Sequence, residues 1–600
     1  MPPQVVTPVA LVDLSGGLNE GVDPASLQPN QFSVLTNFYP FGAKLVRRWG
    51  MNRLNTVEYA ERITSLFPMK LNTGEWLLLG GAETGFVKLV GGVFATIPVG
   101  DGPAYSSDTL NPWRMRQRLD VVYAVRKATG SLKRITPDWM LAAGIDAPSV
   151  APTLADGGAG KAEAGDYKGV VVFKNRATKV RSNPSPVSAV LTIGADGARA
   201  WSAIATSSNP QVDGRELHVS LPNNDGEYFL VDEIPDNITT TWTEGHSIDD
   251  FGDSCSFSLG LPPPNVELIE SWRERMWLSD GKSVFFSGVA QPEGYDELDI
   301  IDVYPDDGHR IRCLWADGSR LVVGKTNAMH LITSVGEGRF ALSTLSDKHG
   351  IIAPDTIRGA EGFLFWYSGE NVYRAVGSMV ESISTIPVCK TLAAVPEAEK
   401  QYASAVIWPK LSWYVLSLGS PEGAGNRLIL IYNYKTGSWC KVTHNTADER
   451  EPTYLAPQML VETFDTEYEG HIYNTFYDGN AYEWNAEGAL KDSGPYAEIM
   501  CEVSPKAHSR GGNRSGLEYV GLSCTDVAKT ATVRLLAPDG SVAKFRDVDL
   551  SGSGWKEYSF RTWDLLTHVR LLWLYSGRAH VEIEGFSFGL SDSKRGPVRR

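Results

Sequence analysis

A recurring hairpin pattern constrains the fold of this chain more than any other feature of its sequence. Short runs of strand-forming residues are separated by polar turns that contain glycine, and the strand after the turn often carries Tyr or Trp. Clear examples flank the turns at 72–75, 368–371, 435–437 and 478–479. This alternation favours antiparallel hairpins over helices. Sheets of about four such strands must stack on neighbours to bury both faces, which predicts the closed ring of a β-propeller.

The composition agrees with several folded β domains. A chain of 600 residues is too long for one ordinary hydrophobic core, so about two to four domains are expected. The 59 glycines and 34 prolines can end many strands without making the chain low in complexity. The 17 Trp and 23 Tyr favour strands over helices.

A change in composition interrupts the blade pattern. Residues 151–165 are rich in Ala, Gly and Pro and lack aromatics, which is typical of a linker. The strands that follow have an early aromatic, Tyr167, and a Ser-Asn-Pro-Ser turn at 182–185. This pattern resembles a fibronectin type III-like sandwich. Because the blade pattern returns afterwards, we expect one propeller to carry the sandwich as an insert.

The last hundred residues or so predict a separate β unit. Residues 531–536, 569–574 and 580–588 are its clearest strands, and a jelly-roll-like sandwich is the simplest arrangement for them. The chain ends in a basic tail that includes Lys594, Arg595, Arg599 and Arg600. Such a tail is either a solvated end or a contact with nucleic acid or an acidic neighbour.

The predicted fold class is therefore all-β: a β-propeller with an inserted fibronectin III-like sandwich and a C-terminal jelly-roll-like β domain. The predicted parts are an extended N-terminal arm (1–55), the first propeller blades (56–150), the inserted sandwich (151–255), the remaining blades (256–494), and the C-terminal β-sandwich with its basic tail (495–600).

The net charge of -15 argues against a protein that clamps DNA without sequence preference, because such a protein needs a basic face. It is compatible with a protein that lets DNA pass, since an acidic lumen repels phosphate. Simple solubility explains the same charge, and the sequence does not place the charges.

The cysteines and the hydropathy pattern predict a protein made in the cytoplasm. None of the six cysteines lies in a Cys-x-x-Cys pair or near a histidine at metal-ligand spacing, so we expect reduced thiols. Residues 1–10 lack the basic start and apolar run of a signal peptide. No apolar run is long enough to span a bilayer, and no membrane insertion is expected.

Motifs for metal or cofactor chemistry are missing from the sequence. It contains no His-Glu-x-x-His and no phosphate-binding loop, so no catalytic, metal or cofactor-binding residues are assigned. His330 and His471 lie in strand patterns and are expected to pack there. The acidic turn at 305–308 fits either a calcium ligand set or an ordinary tight turn.

A glycosidase or carbohydrate-binding protein is the alternative from a different class, because propellers also host such functions. Glycoside hydrolysis needs two converging carboxylates, and acidic residues are plentiful. Residues 436–439 resemble an Asp-box hairpin, but Tyr434 or Lys435 stands where the Asp is expected. Aromatic residues after the turns fit blade packing better than a sugar-binding surface.

The N-terminal stretch combines glycines, prolines and a basic pair in a fixed order. Its elements are Gly16-Gly17-Leu18-Asn19, Pro24, Leu27, Gln31, Asn37, Gly42 and Arg47-Arg48-Trp49-Gly50. This series resembles the opening of the nozzle proteins (tail tubular protein B) of short-tailed phages. A second stretch adds to the resemblance through residues 320–332, 345–354, 363–377 and the Tyr-Asn-x-x-Thr-Gly-x-Trp segment at 432–439.

The resemblance implies a structural component of the virion tail and no enzyme activity. Several copies, most plausibly six, would form a ring below the portal or adaptor ring. The ring would retain and pass the genomic double-stranded DNA without sequence-specific binding, and it would carry tail fibres or spikes. The protein would be synthesised in the cytoplasm of the bacterial host. A head–tail stopper or another tail-hub component is the alternative within the same class.

The N-terminal motif residues are the predicted assembly site. They are Gly16, Gly17, Leu18, Pro24, Leu27, Asn37, Arg47 and Arg48. The glycines and prolines disfavour a long helix or strand before the body begins. We therefore expect the arm to lie against neighbouring chains or to thread the closure of the propeller.

Deletion of residues 1–45 tests this expectation. If the segment is an assembly arm, its loss impairs ring formation but leaves the blades folded. Electron microscopy of the purified variant distinguishes the outcomes, and an intact ring after the deletion would contradict the prediction.

Overall fold

The structure is a computed structural model, and it describes most of residues 6–592. The ranges that are not described within those limits are 101–106, 109–110, 128–129, 225, 256–259, 337, 419–427, 444–459, 464–470, 476–478, 491–498, 509–514, 526–529, 538–540, 553, 561–568 and 578–579. The basic tail predicted at the C-terminus lies outside the described residues.

Six short strands make up the N-terminal part of the chain. Several of their apolar side chains, among them Leu18, Phe32 and Leu45, are buried, so this segment has a hydrophobic face despite its many turn residues. The strands are β1 Val6–Leu11, β2 Gly17–Leu18, β3 Gln31–Thr36, β4 Phe38–Phe41, β5 Lys44–Arg47 and β6 Met51–Arg53.

Two four-stranded antiparallel sheets follow, and we name them blades 1 and 2. The second strand of blade 2 is buried on both faces: Val122 and Ala124 pack towards blade 1, whereas Val121, Tyr123 and Val125 pack towards the next blade. Blade 1 contains β7 Ile63–Lys70, β8 Trp76–Ala82, β9 Phe86–Val90 and β10 Val93–Ile97; blade 2 contains β11 Arg114–Arg118, β12 Val121–Val125, β13 Lys133–Ile135 and β14 Met140–Ala142.

The insert forms three small antiparallel sheets around one core. Tyr167, Trp201 and Leu217 are central in that core. Its strands are β15 Thr153–Ala162, β16 Gly165–Tyr167, β17 Gly169–Lys174, β18 Leu191–Ile193, β19 Gly197–Ser202, β20 Gly214–Ser220, β21 Tyr228–Ile234 and β22 Trp242–Glu244. They pair in the orders β15-β19-β22, β16-β18 and β17-β20-β21.

Three more four-stranded antiparallel sheets, blades 3 to 5, follow the insert. In each of them consecutive strands are neighbours, as the hairpin pattern predicts. The strands are β23 Leu268–Trp272, β24 Arg275–Ser279, β25 Ser283–Gly288 and β26 Gln291–Asp302 in blade 3; β27 Ile311–Asp317, β28 Arg320–Lys325, β29 Met329–Gly336 and β30 Arg339–Ser346 in blade 4; and β31 Arg358–Ala360, β32 Phe363–Tyr367, β33 Val372–Val376 and β34 Met379–Ser382 in blade 5.

Blades 6 and 7 complete the series, and blade 7 includes a strand from the other end of the propeller. Blade 6 contains β35 Ser404–Trp408, β36 Trp413–Leu418, β37 Leu428–Asn433 and β38 Trp439–Thr443. Blade 7 contains β39 Leu460–Thr463, β40 His471–Thr475 and β41 Ala481–Trp484, and its fourth strand is β6. Because β6 precedes blade 1 in the chain, this pairing fastens the last blade to the first.

The seven sheets form a closed, propeller-like ring in the described part of the chain. Hydrophobic clusters join blade 1 to blade 2, blade 2 to blade 3, blade 3 to blade 4 and blade 4 to blade 5. A larger cluster continues through blades 5, 6 and 7, and another joins blade 7 back to blade 1. The first strand of each blade lies nearest the axis, where it meets the first strand of its neighbours.

Residues 499–592, the C-terminal region, add two sheets that incorporate the N-terminal strands. The strands are β42 Ile499–Pro505, β43 Ser515–Cys524, β44 Thr530–Leu536, β45 Val542–Asp549, β46 Gly554–Ser559, β47 Arg570–Gly577 and β48 Glu582–Asp592. One sheet has the order β4-β5-β48-β43-β46, with β1 also on β48. The other continues blade 6 outwards in the order β35-β36-β37-β38-β3-β42-β47-β44-β45.

Helical structure is sparse in the described residues. There is one short α-helix, α1 Cys389–Ala393, and the 3-10 turns are Ile248–Asp250, Pro305–Asp307, Lys400–Tyr402 and Pro409–Leu411. Among the helices found there, none has the length and apolar character needed to cross a membrane.

The structure confirms the all-β class and the propeller-like arrangement of four-stranded sheets. It corrects the nature of three segments. Residues 153–162, inside the predicted linker, form strand β15. The C-terminal region is not a separate unit, because β42 pairs with β3. The predicted extended arm is instead a set of strands that pair within their own chain, and its β6 closes the propeller, which is one of the two roles expected for it.

These strand pairings change the result that we expect from deletion of residues 1–45. Strand β3 lies between β38 of blade 6 and β42 of the C-terminal region. Removal of residues 1–45 therefore takes out a central strand. We expect the C-terminal region to unfold in the deletion variant, in addition to any defect in ring assembly.

Candidate functional site

Gly16 and Gly17 allow strand β2 to lie directly against blade 6. Gly17 has a φ of 72°, and a Cβ there would lie 2.8 Å from main-chain atoms of Trp439. A Cβ on Gly16 would lie 2.7 Å from the carbonyl oxygen of Asn30. Leu18 is buried and pairs in parallel with Phe32 of β3. A larger residue at Gly17 would push β2 away from blade 6, and one at Gly16 would push the chain away from Asn30.

Asn37 and Arg48 form a buried junction between the N-terminal strands, blade 6 and the C-terminal region. Arg48 Nε donates to Asn37 Oδ1 over 2.8 Å, and one Arg48 terminal nitrogen donates to the Thr443 carbonyl over 3.0 Å. The amide of Asn37 donates to the Met500 carbonyl over 2.6 Å. Asn37 Oδ1 also accepts from the Thr443 backbone N–H over 3.1 Å. One asparagine therefore bonds to three parts of the chain at once.

The backbone conformation at position 37 explains why an asparagine occurs there. Its φ is 61°, in the left-handed region that asparagine tolerates better than most residues. Its backbone N–H donates to the Lys441 carbonyl over 2.8 Å, which ties the turn between β3 and β4 to the outer strand of blade 6. We call the contacts of Asn37 and Arg48 the Asn37–Arg48 junction.

The remaining predicted site residues lie along the same seam. Arg47 is fully buried, and one of its terminal nitrogens donates to the Leu490 carbonyl over 2.9 Å. Leu27 is buried, and the Pro24 carbonyl accepts from the Ala507 backbone N–H over 2.9 Å. The structure thus brings Asn37, Arg47 and Arg48 together and spreads the others along the contact with blade 6 and the C-terminal region.

An axial cavity of about 390 Å³ lies where the first strands of blades 1 to 6 meet. Side chains of Arg114 and Arg116 line it from β11, because residues two apart on a strand share a face. Glu270 lines it from β23. Asp355 lies just before β31, and Arg358 is the first residue of that strand.

Two of the axial arginines are held by carboxylates. Arg114 donates from Nε and a terminal nitrogen to the two carboxylate oxygens of Asp355, over 3.2 and 2.9 Å. Arg116 does the same with Glu270, over 2.6 and 2.8 Å. Each pair crosses between blades, so these bidentate contacts fix the first strands relative to one another.

Arg358 differs from the other two axial arginines. Its guanidinium lies 5.3 Å from the centre of the Trp315 ring, and it donates to the carbonyl of the preceding residue, Ile357. Within the described residues it has no carboxylate within ion-pair distance. Burial lowers the pKa of Arg358, an effect that the charge of Asp355 opposes. An arginine nevertheless remains protonated at neutral pH.

The outer strand of blade 3 carries an exposed bulge. Between the pairs Phe285–Ile300 and Ser287–Tyr295, β26 uses more residues than β25, so residues 296–299 are displaced outwards. Leu298 on this bulge is 86% exposed, and Ile300 beside it is 40% exposed. We call residues 296–300 the blade 3 bulge.

The far end of the sheet that continues blade 6 is also apolar and exposed. Phe545 on its edge strand, β45, is 66% exposed. The same outer face carries the half-buried Leu572 and Leu574 of β47 and the exposed Met500 of β42, because cross-strand partners share a face. We call this surface the outer sheet face.

The side chains considered for metal binding have structural partners. His330 is buried with Nδ1 3.2 Å from the Thr344 hydroxyl, and burial lowers its pKa. His471 Nδ1 lies 2.5 Å from a carboxylate oxygen of Glu483. Asp307 of the acidic turn accepts from Lys325 Nζ over 2.6 Å. No cluster of three or more potential metal ligands occurs in the described part of the chain.

Sequence reasoning missed the axial charges and the two apolar surfaces. The alternation Arg114-x-Arg116 in a short strand is a local signal that both arginines share a face. Nothing local identifies Glu270, Asp355 or Arg358 as their neighbours, because these residues come from other blades. Leu298 and Phe545 are exposed because they lie on edge strands. The order of strands in each sheet determines which strands lie at an edge, and the local sequence does not predict that order.

Comparison with known proteins gives likeness of fold only. No family model matches the chain, and no curated protein matches it. The Pan2 WD40 domain of Neurospora crassa is similar over 72% of this chain and 94% of its own, with 9% identity and a TM-score of 0.26. The N-terminal domain of Nup159 covers 73% of this chain and 95% of its own, with 7% identity and a TM-score of 0.25. An exo-β-1,3-galactanase from Phanerochaete chrysosporium covers 88% and 100%, with 8% identity and a TM-score of 0.17.

Replacement of Asn37 by alanine tests the importance of the Asn37–Arg48 junction. The variant removes the hydrogen bonds of Asn37 with Arg48 and with the Met500 carbonyl and places alanine at a positive φ, so we expect a loss of about 2–4 kcal/mol in the free energy of unfolding. Urea unfolding measures the loss, and limited proteolysis should cut the C-terminal region before the blades. Asn52→Ala, which changes an exposed asparagine on β6, is the matched control. Equal stability of the two variants would contradict the role of the junction.

Proposed function

We propose that this chain is a structural subunit of a short-tailed phage tail, where several copies form a nozzle-like ring around the tail channel. The observation that carries the proposal is the presence of two different exposed apolar surfaces at opposite ends of the molecule. These are the blade 3 bulge and the outer sheet face. The order of the N-terminal motif, which resembles the nozzle proteins, supports the same conclusion.

The placement of the two surfaces follows from the topology. The sheet that begins with blade 6 runs outwards from the axis and ends at β45. The blade 3 bulge lies on β26, the outermost strand of blade 3. In a ring of seven blades, blade 3 is three positions from blade 6, which is as far as two blades can be. The two surfaces therefore lie on opposite sides of the propeller axis.

Two different surfaces on opposite sides of the propeller axis suit a ring better than a two-fold dimer. A two-fold contact uses the same patch on both copies, whereas a ring needs two patches that fit each other. Exposed apolar side chains such as Leu298 and Phe545 gain free energy when such a contact buries them. The bulge of one copy would pack on the outer sheet face of the next.

A subunit in such a ring must be stiff, and strand pairings between distant parts of this chain make it so. Strand β6 closes blade 7, and β3 joins blade 6 to the C-terminal region. The net charge of -15 suits a channel wall that lets DNA pass without binding it. In this proposal the ring contacts a portal or adaptor ring and carries fibres or spikes in the virion tail.

The finer fold assignments belong to the same proposal. We propose that the insert at 153–244 is fibronectin III-like and that the C-terminal region is jelly-roll-like. A structural role also fits the axial carboxylates. Glycoside hydrolysis needs one protonated carboxyl group and one free carboxylate, whereas Glu270 and Asp355 are each bound by an arginine through two bonds.

Two substitutions test the contact between copies. Leu298→Asp damages the blade 3 bulge, and Phe545→Asp damages the outer sheet face. Each places a charge in the proposed contact, so we expect at least a tenfold loss in subunit affinity and monomers at concentrations where the unchanged protein forms rings. Light scattering after size-exclusion chromatography and electron microscopy measure the assembly state.

A mixture of the two variants makes the test specific. Each variant keeps one intact surface, so an equimolar mixture should form dimers through a single native contact. Met379→Asp on blade 5 changes another exposed apolar side chain and serves as the control, which should still form rings. Rings from either single variant, a mixture that stays monomeric, or an unchanged protein that forms no ring would contradict the proposal.

A further inference from the structure

Among the described residues that line the axial cavity, the positive side chains exceed the negative ones by one. Three arginine side chains line it, and two carboxylates face them. Arg114 and Arg116 are matched one to one with Asp355 and Glu270. One cation therefore remains inside a protein whose net charge is -15. A partly desolvated charge without a counterion is costly, so such a site gains free energy from an added anion.

Arg358 is the cation that remains. A guanidinium has five N–H donors, and the described residues provide Arg358 with one hydrogen bond, to the Ile357 carbonyl. The neighbouring Trp315 ring holds the guanidinium in place from one side. The planar group therefore keeps a fork of donors for an oxyanion.

The cavity has access from the side where the first strands begin. A second, adjoining cavity shares Arg114 and Asp355 with the axial cavity and is also lined by Lys127 and Arg312. Its acidic residue Glu267 is paired with Arg310. Cations at an opening attract anions from solution and raise their rate of entry.

The size of the axial cavity limits the kind of anion. Its volume of about 390 Å³ falls in the range of small-molecule sites, roughly 300–1,000 Å³. It is far too narrow for a nucleic acid duplex, so the ligand must be a small molecule or a single group of a partner. Phosphate and carboxylate groups both match a guanidinium fork.

We infer that the axial cavity is a binding site for a small oxyanion, a phosphate or carboxylate group, with Arg358 as its main ligand. The bound anion would bond to the open N–H groups of Arg358 beside the Arg116–Glu270 pair. The site is independent of the proposed ring, because its lining comes from the blades of one chain.

Isothermal titration of the full chain with inorganic phosphate tests the inference, at constant ionic strength maintained with chloride. We expect saturable binding of one phosphate per chain and a rise in the melting temperature over the same concentration range. Acetate and citrate titrations then show whether carboxylates compete. Binding of phosphate without competition by acetate or citrate would indicate a phosphate-bearing ligand. Competition by these carboxylates would indicate that the site accepts both phosphate and carboxylate groups.

Substitution of Arg358 locates the site. Arg358→Gln should weaken phosphate binding at least tenfold, and Arg358→Lys should weaken it less because it keeps the charge. Arg374→Gln, which removes an arginine paired with Glu381 on the same blade, is the control and should bind phosphate as the unchanged protein does. Absence of saturable binding, or equal binding by Arg358→Gln and the control, would overturn the inference. Circular dichroism confirms that the variants are folded.

Discussion

The Asn37–Arg48 junction is the interaction on which the arrangement of this chain depends. Asn37 bonds to Met500, which is 463 residues away in sequence, and Arg48 and Thr443 bond to the same asparagine. The junction lies where the N-terminal strands, blade 6 and the C-terminal region meet. It adds side-chain hydrogen bonds to the strand pairing that places β3 between blade 6 and the C-terminal sheets.

The propeller supplies a second, independent set of constraints at its axis. The Arg114–Asp355 and Arg116–Glu270 pairs join first strands of different blades, and the shared hydrophobic clusters join the blades further out. A body held both at its axis and at its seam changes shape little, which suits a ring subunit. In the part of the chain that the structure describes, the same axial geometry leaves Arg358 without a carboxylate at ion-pair distance. The two inter-blade ion pairs and the proposed binding site therefore share one cavity.

Local sequence was sufficient to predict the blades but not the connections between distant parts of the chain. Hairpins such as β32–β33 are coded by nearby residues, through a Gly-containing turn between two apolar strands. The pairing of β3 with β42 joins residues more than 460 positions apart, and no local pattern signals it. The N-terminal motif therefore marks Gly17 and Arg48 as important, but no local pattern predicts the residues that they contact. The sequence does not predict the cluster of charged residues at the axis either, because blades 2, 3 and 5 each contribute only one or two of them.

Hydrogen–deuterium exchange at β3 tests the central claim, that the N-terminal strands are an integral part of the folded chain. Mass spectrometry of peptides covering residues 31–37 should show protection as strong as that of β36 and β37 in blade 6, because exchange there requires opening of the shared sheet. Exchange of residues 31–37 within seconds, while blade 6 remains protected, would contradict the account and favour an extended arm that is ordered only by neighbouring chains.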